Sequence, residues 1–160
     1  MSDSTSRRAF LGAMTAASTA PPRHPLPQPF SFRVRVYYED TDAAGVVYYA
    51  NYLKFMERAR TEWLSALGFD LAAVEREHRV VFVVHRVEID FRVPAQLSDR
   101  LDVTLTLAEL GRARLVAAQD VRRGDEVLTR AQVTLACLDP SGWRPARIPA
   151  PLYARMETLL

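Results

Sequence analysis

Three carboxylates stand close together early in the chain: Glu39, Asp40 and Asp42. They lie within Tyr37-Tyr38-Glu39-Asp40-Thr41-Asp42-Ala43-Ala44-Gly45-Val46-Val47-Tyr48-Tyr49-Ala50-Asn51-Tyr52. An ionised carboxylate can deprotonate a water or attack as a nucleophile. A strand-like run enters this stretch and a strongly patterned helix leaves it. The start of a helix offers free backbone N–H groups and the positive end of its dipole. An oxyanion forming beside the loop could be held there. Asp42 is the main candidate for the reacting group. The bland alternative for it is an Asx turn or a helix N-cap. Asp40 would share a face with Asp42 only in a fully extended loop, so it is read, with Thr41, as structural and bonded to loop amides. Gly45 lets backbone pass close to a substrate or adopt a positive φ.

Further along, Glu57 shares a helical strip with Leu53 and Leu64. There it could be desolvated, to orient water or touch a substrate. An ion pair with Arg60 or a neighbour one turn away is the equal alternative. Asn51 either braces the loop or faces solvent. His85 is read as a packed or interface histidine, Cys137 as a buried thiol, and Trp63 and Trp143 as core and rim residues.

The elements that must position these groups follow from periodicity. Ser31 to Tyr38 alternates, with Phe32, Val34, Val36 and Tyr38 on one face, as a half-buried strand does. From Tyr49 to Leu67 the period becomes helical, with Tyr52, Phe55, Met56, Ala59, Trp63 and Leu67 on one face. Leu53 and Leu64 widen that face, as in a helix nested against a sheet. Gly68 stops it. Asp70 caps a short second helix to His78. Val80 to Phe91 reads as a second strand, with Val83, His85, Val87, Ile89 and Phe91 on one face. Leu101 to Leu107, Leu115 to Val121 and Val127 to Leu138 give three more. Arg123-Gly124-Asp125 is read as a hairpin turn, not as an adhesion motif. Asp139-Pro140-Ser141-Gly142 is another turn, and Pro149 to Leu160 a terminal helix. This order is α+β, with a five-stranded antiparallel sheet and one long helix covering a face. The other face, or the sheet edge, would stay apolar and invite a second subunit.

Composition narrows the possibilities. The chain has 160 residues, 49% of them apolar, and a formal charge of +2. One domain fits that length. The dispersed basic residues argue against a nucleic-acid platform. The single cysteine and three histidines show no metal-ligand spacing, so no metal site is expected. Residues 1–29 differ from the rest. Ser6-Arg7-Arg8-Ala9-Phe10-Leu11-Gly12 has the look of a twin-arginine export signal, with a brief and interrupted apolar stretch behind it. Pro21, Pro22, Pro25, Pro27 and Pro29 mark an extended linker. Residues 1–29 are therefore set apart as an extension, disordered or targeting-like, and residues 30–160 as the folded domain.

Tyr38-Glu39-Asp40-Thr41-Asp42-Ala43-Ala44-Gly45-Val46-Val47-Tyr48-Tyr49-Ala50-Asn51-Tyr52, followed by Glu57-Arg58-Ala59-Arg60, resembles the hotdog-fold acyl-CoA thioesterases. The branch it looks most like is the Tol–Pal-associated one, related to 4-hydroxybenzoyl-CoA thioesterase. Phe91-Arg92-Val93-Pro94-Ala95 and Cys137-Leu138-Asp139-Pro140 extend the resemblance over residues 32 to about 155. The resemblance implies an antiparallel sheet wrapped around a central helix, subunits paired into dimers or tetramers, and hydrolysis of the thioester between an acyl group and coenzyme A. It implies Asp42 as the catalytic carboxylate and the Tyr49 backbone N–H as the oxyanion contact. Many members of the Tol–Pal branch have His at the position of Tyr49, which leaves a side-chain role there open. It also implies basic residues near Arg112 and Arg114 that meet coenzyme A phosphates, for which Arg is well suited.

A thioester is already activated, so one carboxylate can suffice, as nucleophile or as base; the sequence does not separate these routes. No cofactor is expected. Two rivals stand beside hydrolysis. A hydratase or dehydratase of acyl thioesters would pair its carboxylate with a His, and none lies near Asp42 in sequence. A non-catalytic module would bind acyl carrier protein or an envelope-associated partner. A cytoplasmic location follows from the coenzyme A substrate, against the twin-arginine-like start at Arg7 and Arg8.

Overall fold

The computed structural model describes residues 26–160. The twin-arginine-like motif and the first part of the proline-dense stretch lie outside them. Six strands and three helices follow in the order β1 (Phe30–Arg35), α1 (Asn51–Ala66), α2 (Leu71–His78), β2 (Val81–Phe91), β3 (Arg100–Leu110), β4 (Arg114–Arg123), β5 (Glu126–Asp139), β6 (Arg144–Pro145) and α3 (Ala150–Glu157). The five long strands form one antiparallel sheet in the order β1-β3-β4-β5-β2. The two-residue β6, absent from the sequence reading, pairs with the end of β5. A two-residue turn joins β4 to β5, pairing Arg123 with Glu126, and Gly124 supplies its positive φ of 57°. No helix among the described residues is long and apolar enough to cross a membrane.

The sheet curls around α1 because α1 is apolar where it meets it. Tyr52, Phe55, Met56, Ala59, Trp63 and Leu67 are all buried, as the helical period predicts. Leu64 joins them, but Leu53 does not: it sits at the uncovered margin, 38% exposed. Two apolar clusters share α1 between them. Its N-terminal half packs with Val36, Val47, Ala95, Val121, Leu128 and Ala131. Its C-terminal half packs with Leu107, Leu115, Cys137 and with Leu152 and Met156 of α3. Fully burying a side chain such as Phe55 or Met56 contributes about 1.5–3 kcal/mol. Leu26 already packs against the second cluster, just ahead of β1.

Three details depart from the alternation read in sequence. Tyr38 leaves the face of Phe32, Val34 and Val36: the chain turns into a single 3₁₀ turn at Tyr38–Asp40, and Tyr38 is 82% exposed. In β2 the register shifts between Val84 and Arg86. Phe82 and Val84 therefore oppose Cys137 and Leu135, while Val87 and Ile89 oppose Val133 and Ala131. His85 is the inserted residue, so Val83 and His85 do not share a face with Val87, Ile89 and Phe91. The outer face of the sheet is polar rather than apolar. It carries Arg33 on Asp102, Arg130 and Arg122 on Asp120, and Arg114 on Glu109. The exposed apolar surface lies on the β2 edge instead, where Val84 and Phe91 are each 50% exposed.

Candidate active site

The loop between β1 and α1 is held mainly by its own backbone. Thr41 and Val47 form a bridge, and Val46 bridges to Gln96. Within the loop, Asp42 N–H donates to the Val46 carbonyl at 3.0 Å and Gly45 N–H to the Asp42 carbonyl at 2.9 Å. Gly45 has φ 77°, which closes this turn. Val47 N–H donates to the Ala95 carbonyl at 2.9 Å, tying the loop to the segment after β2. That segment is tied to α1 in turn, because Ala95 N–H donates to the buried Tyr52 hydroxyl at 2.8 Å.

Asp40 is a strut. It is 6% exposed and its carboxylate accepts the Tyr37 N–H at 2.8 Å. Its carbonyl accepts both the Tyr48 N–H and the Asn51 side-chain amide, each at 2.9 Å. Asn51 is therefore buried and braces the loop. The Thr41 hydroxyl donates to the Tyr38 carbonyl at 2.8 Å. Asp42 differs from both. It is exposed, and its carboxylate accepts one bond, from Ala44 N–H at 2.8 Å. This is the Asx turn of the bland reading, and it leaves the second carboxylate oxygen without a partner among the described residues.

The start of α1 faces the same patch. Asn51 N–H is taken by the Tyr48 carbonyl, whereas the Tyr49 N–H has no acceptor among the described residues. The rings of Tyr48 and Tyr49 lie 4.8 Å apart. The Tyr48 phenol is pushed above its ordinary value, first by its hydrogen bond with the Tyr49 side chain and last by the Asp42 carboxylate. Asp42, Tyr48 and Tyr49 thus share one electrostatic neighbourhood. Beside them opens a cavity of about 210 Å³, lined by Val47, Tyr49, Tyr52, Phe91, Arg92, Val93 and Pro94. Phe91 meets Tyr49 edge-on at 6.2 Å and Tyr52 at 5.7 Å. The arrangement offers a carboxylate, an unused backbone donor and an apolar recess in one place. That is what attack on a carbonyl carbon needs.

The other candidates lie elsewhere. Glu57 sits two turns further along α1, exposed, and accepts the Thr61 hydroxyl at 2.9 Å. It lines a second cavity, of about 150 Å³, with Arg60, Trp63, Leu64, Phe82, Val84 and Leu135. Arg60 does not pair with it. The guanidinium reaches the Gln119 side-chain carbonyl at 2.9 Å, and burial pulls its pKa down while the nearby Glu57 charge opposes that. Arg112 and Arg114 lie at the β3–β4 connection, whose neighbours Leu110 and Leu115 pack on the C-terminal half of α1, the end of that helix away from the Asp42 loop. Arg114 faces outward onto Glu109 at 3.3 Å. Within one protomer these arginines and Asp42 are not brought together. Arg92 and the Tyr52 hydroxyl escaped the sequence reading. Phe91-Arg92-Val93-Pro94-Ala95 was a visible signal, but nothing in sequence says that this segment folds back onto the start of α1.

Residues 36–156 match the model of the thioesterase-like superfamily. The chain is 43% identical over 130 residues to the acyl-CoA thioesterase YbgC of Haemophilus influenzae, covering 81% of this chain and 96% of that one. It is 39% identical to the acyl-CoA thioester hydrolase YbgC of Escherichia coli, covering 80% and 96%. Among solved structures it resembles a 1,4-dihydroxy-2-naphthoyl-CoA thioesterase from Synechocystis, with a TM-score of 0.75, 29% identity, and 81% and 96% of the two chains covered. With its antiparallel sheet curled around one long helix, the chain belongs to the thioesterase-like superfamily and has the hotdog fold.

Proposed function

We propose that this protein hydrolyses acyl-CoA thioesters and that Asp42 carries the reaction. The observation behind this reading is the placement of an exposed, half-free Asp42 carboxylate on a backbone-tied loop beside the unused Tyr49 N–H. The relatives named acyl-CoA thioesterase support the reaction class. Asp42 either attacks the thioester carbon or takes a proton from an attacking water. In both routes the carbonyl oxygen becomes an oxyanion at the Tyr49 N–H, whose position at the positive end of α1 favours negative charge. Collapse breaks the C–S bond and releases coenzyme A as the thiol. If attack was direct, water then hydrolyses the acyl-aspartate.

The same reading takes residues 30–160 as the catalytic domain and 1–29 as an extension to it. A second copy pairs along the unpartnered β2 edge to give a dimer, which can double to a tetramer. In that assembly Arg112 and Arg114 of one protomer can serve coenzyme A bound at another's Asp42. The substrate places the enzyme in the cytoplasm. Acyl carrier protein is a possible thioester carrier in place of coenzyme A, and an envelope association of the Tol–Pal kind rests on the resemblance alone.

The test is thiol release from a panel of acyl-CoAs by wild type and Asp42→Asn, with sedimentation to follow the oligomer. Loss of about 10²–10⁴-fold in turnover with fold intact is expected. No hydrolysis by the wild type would favour the non-catalytic module that binds acyl carrier protein. Equal rates would make Asp42 structural and turn attention to Glu57.

A further inference from the structure

The cavity beside Tyr49 has one feature that hydrolysis of a plain acyl chain does not use. Its walls are apolar or aromatic apart from Arg92. The Arg92 backbone N–H is fixed to the Leu128 carbonyl at 2.9 Å, so its Cα is anchored. Its guanidinium makes no hydrogen bond or ion pair with any described residue. No acidic side chain lines the cavity to neutralise it. The nearest acid in sequence, Asp90, stands opposite Arg130 across the sheet and makes no ion pair with Arg92. Like Arg100 and Arg112 it has no side-chain partner among the described residues; what sets it apart is its place on the rim of a recess that adjoins the reacting groups.

We propose that Arg92 makes this cavity selective for acyl groups carrying a carboxylate at their far end, so that the favoured substrates are mono-CoA thioesters of short dicarboxylic acids. The inference rests on the thioesterase reading above. Three observations argue for it. Guanidinium binds a carboxylate through two parallel hydrogen bonds, and the exposed Arg92 is reachable from the recess. Asp42 places a negative charge at the scissile end, which disfavours an anionic acyl group unless a cation answers it at the other end. Size also fits: a cavity of about 150 Å³ accepts a benzene-sized ligand, so 210 Å³ admits an acyl group of four or five carbons with its terminal carboxylate. No new chemistry is required, since the distal carboxylate is only recognised and the bond broken is still the thioester C–S.

The experiment compares glutaryl-CoA with 5-methylhexanoyl-CoA, in which an isopropyl group replaces the carboxylate. Wild type should show kcat/KM at least about tenfold higher for glutaryl-CoA, the scale of a hydrogen bond to a charged group. Arg92→Gln should remove that preference by losing rate on glutaryl-CoA, mostly through KM, with 5-methylhexanoyl-CoA changed less than about threefold. Arg92→Lys should restore part of it. Equal wild-type rates on the two substrates, or a parallel loss on both in Arg92→Gln, would overturn the inference and leave the thioesterase reading standing. No hydrolysis of either, with turnover of another acyl-CoA of the panel, would overturn the inference alone; no hydrolysis of any acyl-CoA would sink both.

Discussion

The bond from Ala95 N–H to the Tyr52 hydroxyl can be removed with one atom. Tyr52→Phe deletes the acceptor oxygen and leaves the ring in place between Phe55 and Phe91. Ala95 is fully buried and Tyr52 is 3% exposed, so water has no easy route to the orphaned amide. A buried donor left unmade costs about 1–3 kcal/mol. Loss of the hydroxyl also removes the cost of burying that polar group. The net destabilisation should therefore lie in the lower half of that range, near 1–2 kcal/mol. For a domain of this size that is a fall in Tm of roughly 3–10 °C. The consequence should reach the site, because Ala95 also accepts the Val47 N–H that anchors the Asp42 loop. A displacement of a fraction of an ångström in a reacting group lowers turnover, here by about tenfold. Urea unfolding followed by circular dichroism, with amide exchange at Ala95 and thiol release, measures all three. A variant as stable as wild type within about 0.5 kcal/mol, with Ala95 still protected and full turnover, would refute the idea that this bond couples α1 to the loop.

Gly45→Ala tests the loop by conformation alone. A Cβ at Gly45 would meet nothing within 4 Å, so the cost is that of φ 77°, about 1–2 kcal/mol. Gly45→Asn should lose less, because Asn tolerates the left-handed region; equal urea midpoints for the two variants would count against this. Cys137 gives a pH dependence. Burial pushes its thiol up to about 11 from 9.0. Between those values the unfolded chain has lost the proton and the folded chain keeps it, so stability falls as pH rises from 9 towards 11. Below pH 9 this contribution is fully present. Melting temperature against pH should fall less steeply over that window in Cys137→Ala, and an unchanged slope would show that the thiol is not the titrating group.

Local pattern carried the elements well. The period of α1 named the residues that the sheet covers, and Gly-Asp between two apolar runs located the β4–β5 turn. Asp70 was read as a cap, and its carboxylate accepts the Ala73 N–H at 2.8 Å. What alternation missed was an inserted residue, because a bulge at His85 leaves no mark in the composition of β2 yet reverses which side chains face the helix. Of the two places offered for exposed apolar surface, face or edge, the structure uses the edge; the ion pairs of Arg33 with Asp102 and Arg130 with Asp120, which fill the outer face, join residues that meet only once the strands pair. Around the site, the carboxylates and the start of α1 were legible in a single stretch. Asp42 was separable from Asp40 only as a preference, since the bonds that make Asp40 a strut run to Tyr37, Tyr48 and Asn51 through a bend that the sequence does not specify. Arg92 was invisible as a site residue because it reaches the cavity through a return of the chain over forty residues later.

The loop that presents Asp42 is held almost wholly by main-chain atoms and by Asp40, Asn51 and Tyr52 beneath it. The side chains of Ala43, Ala44 and Val46 supply none of the hydrogen bonds that set its shape. Reactivity and selectivity are therefore mechanically separable in this molecule. Descendants of this sequence, or a laboratory library, can exchange the exposed rim residues Phe91 and Arg92 without refolding the scaffold that aims the carboxylate. Diversification should accordingly run through the rim of the recess and spare the struts under it.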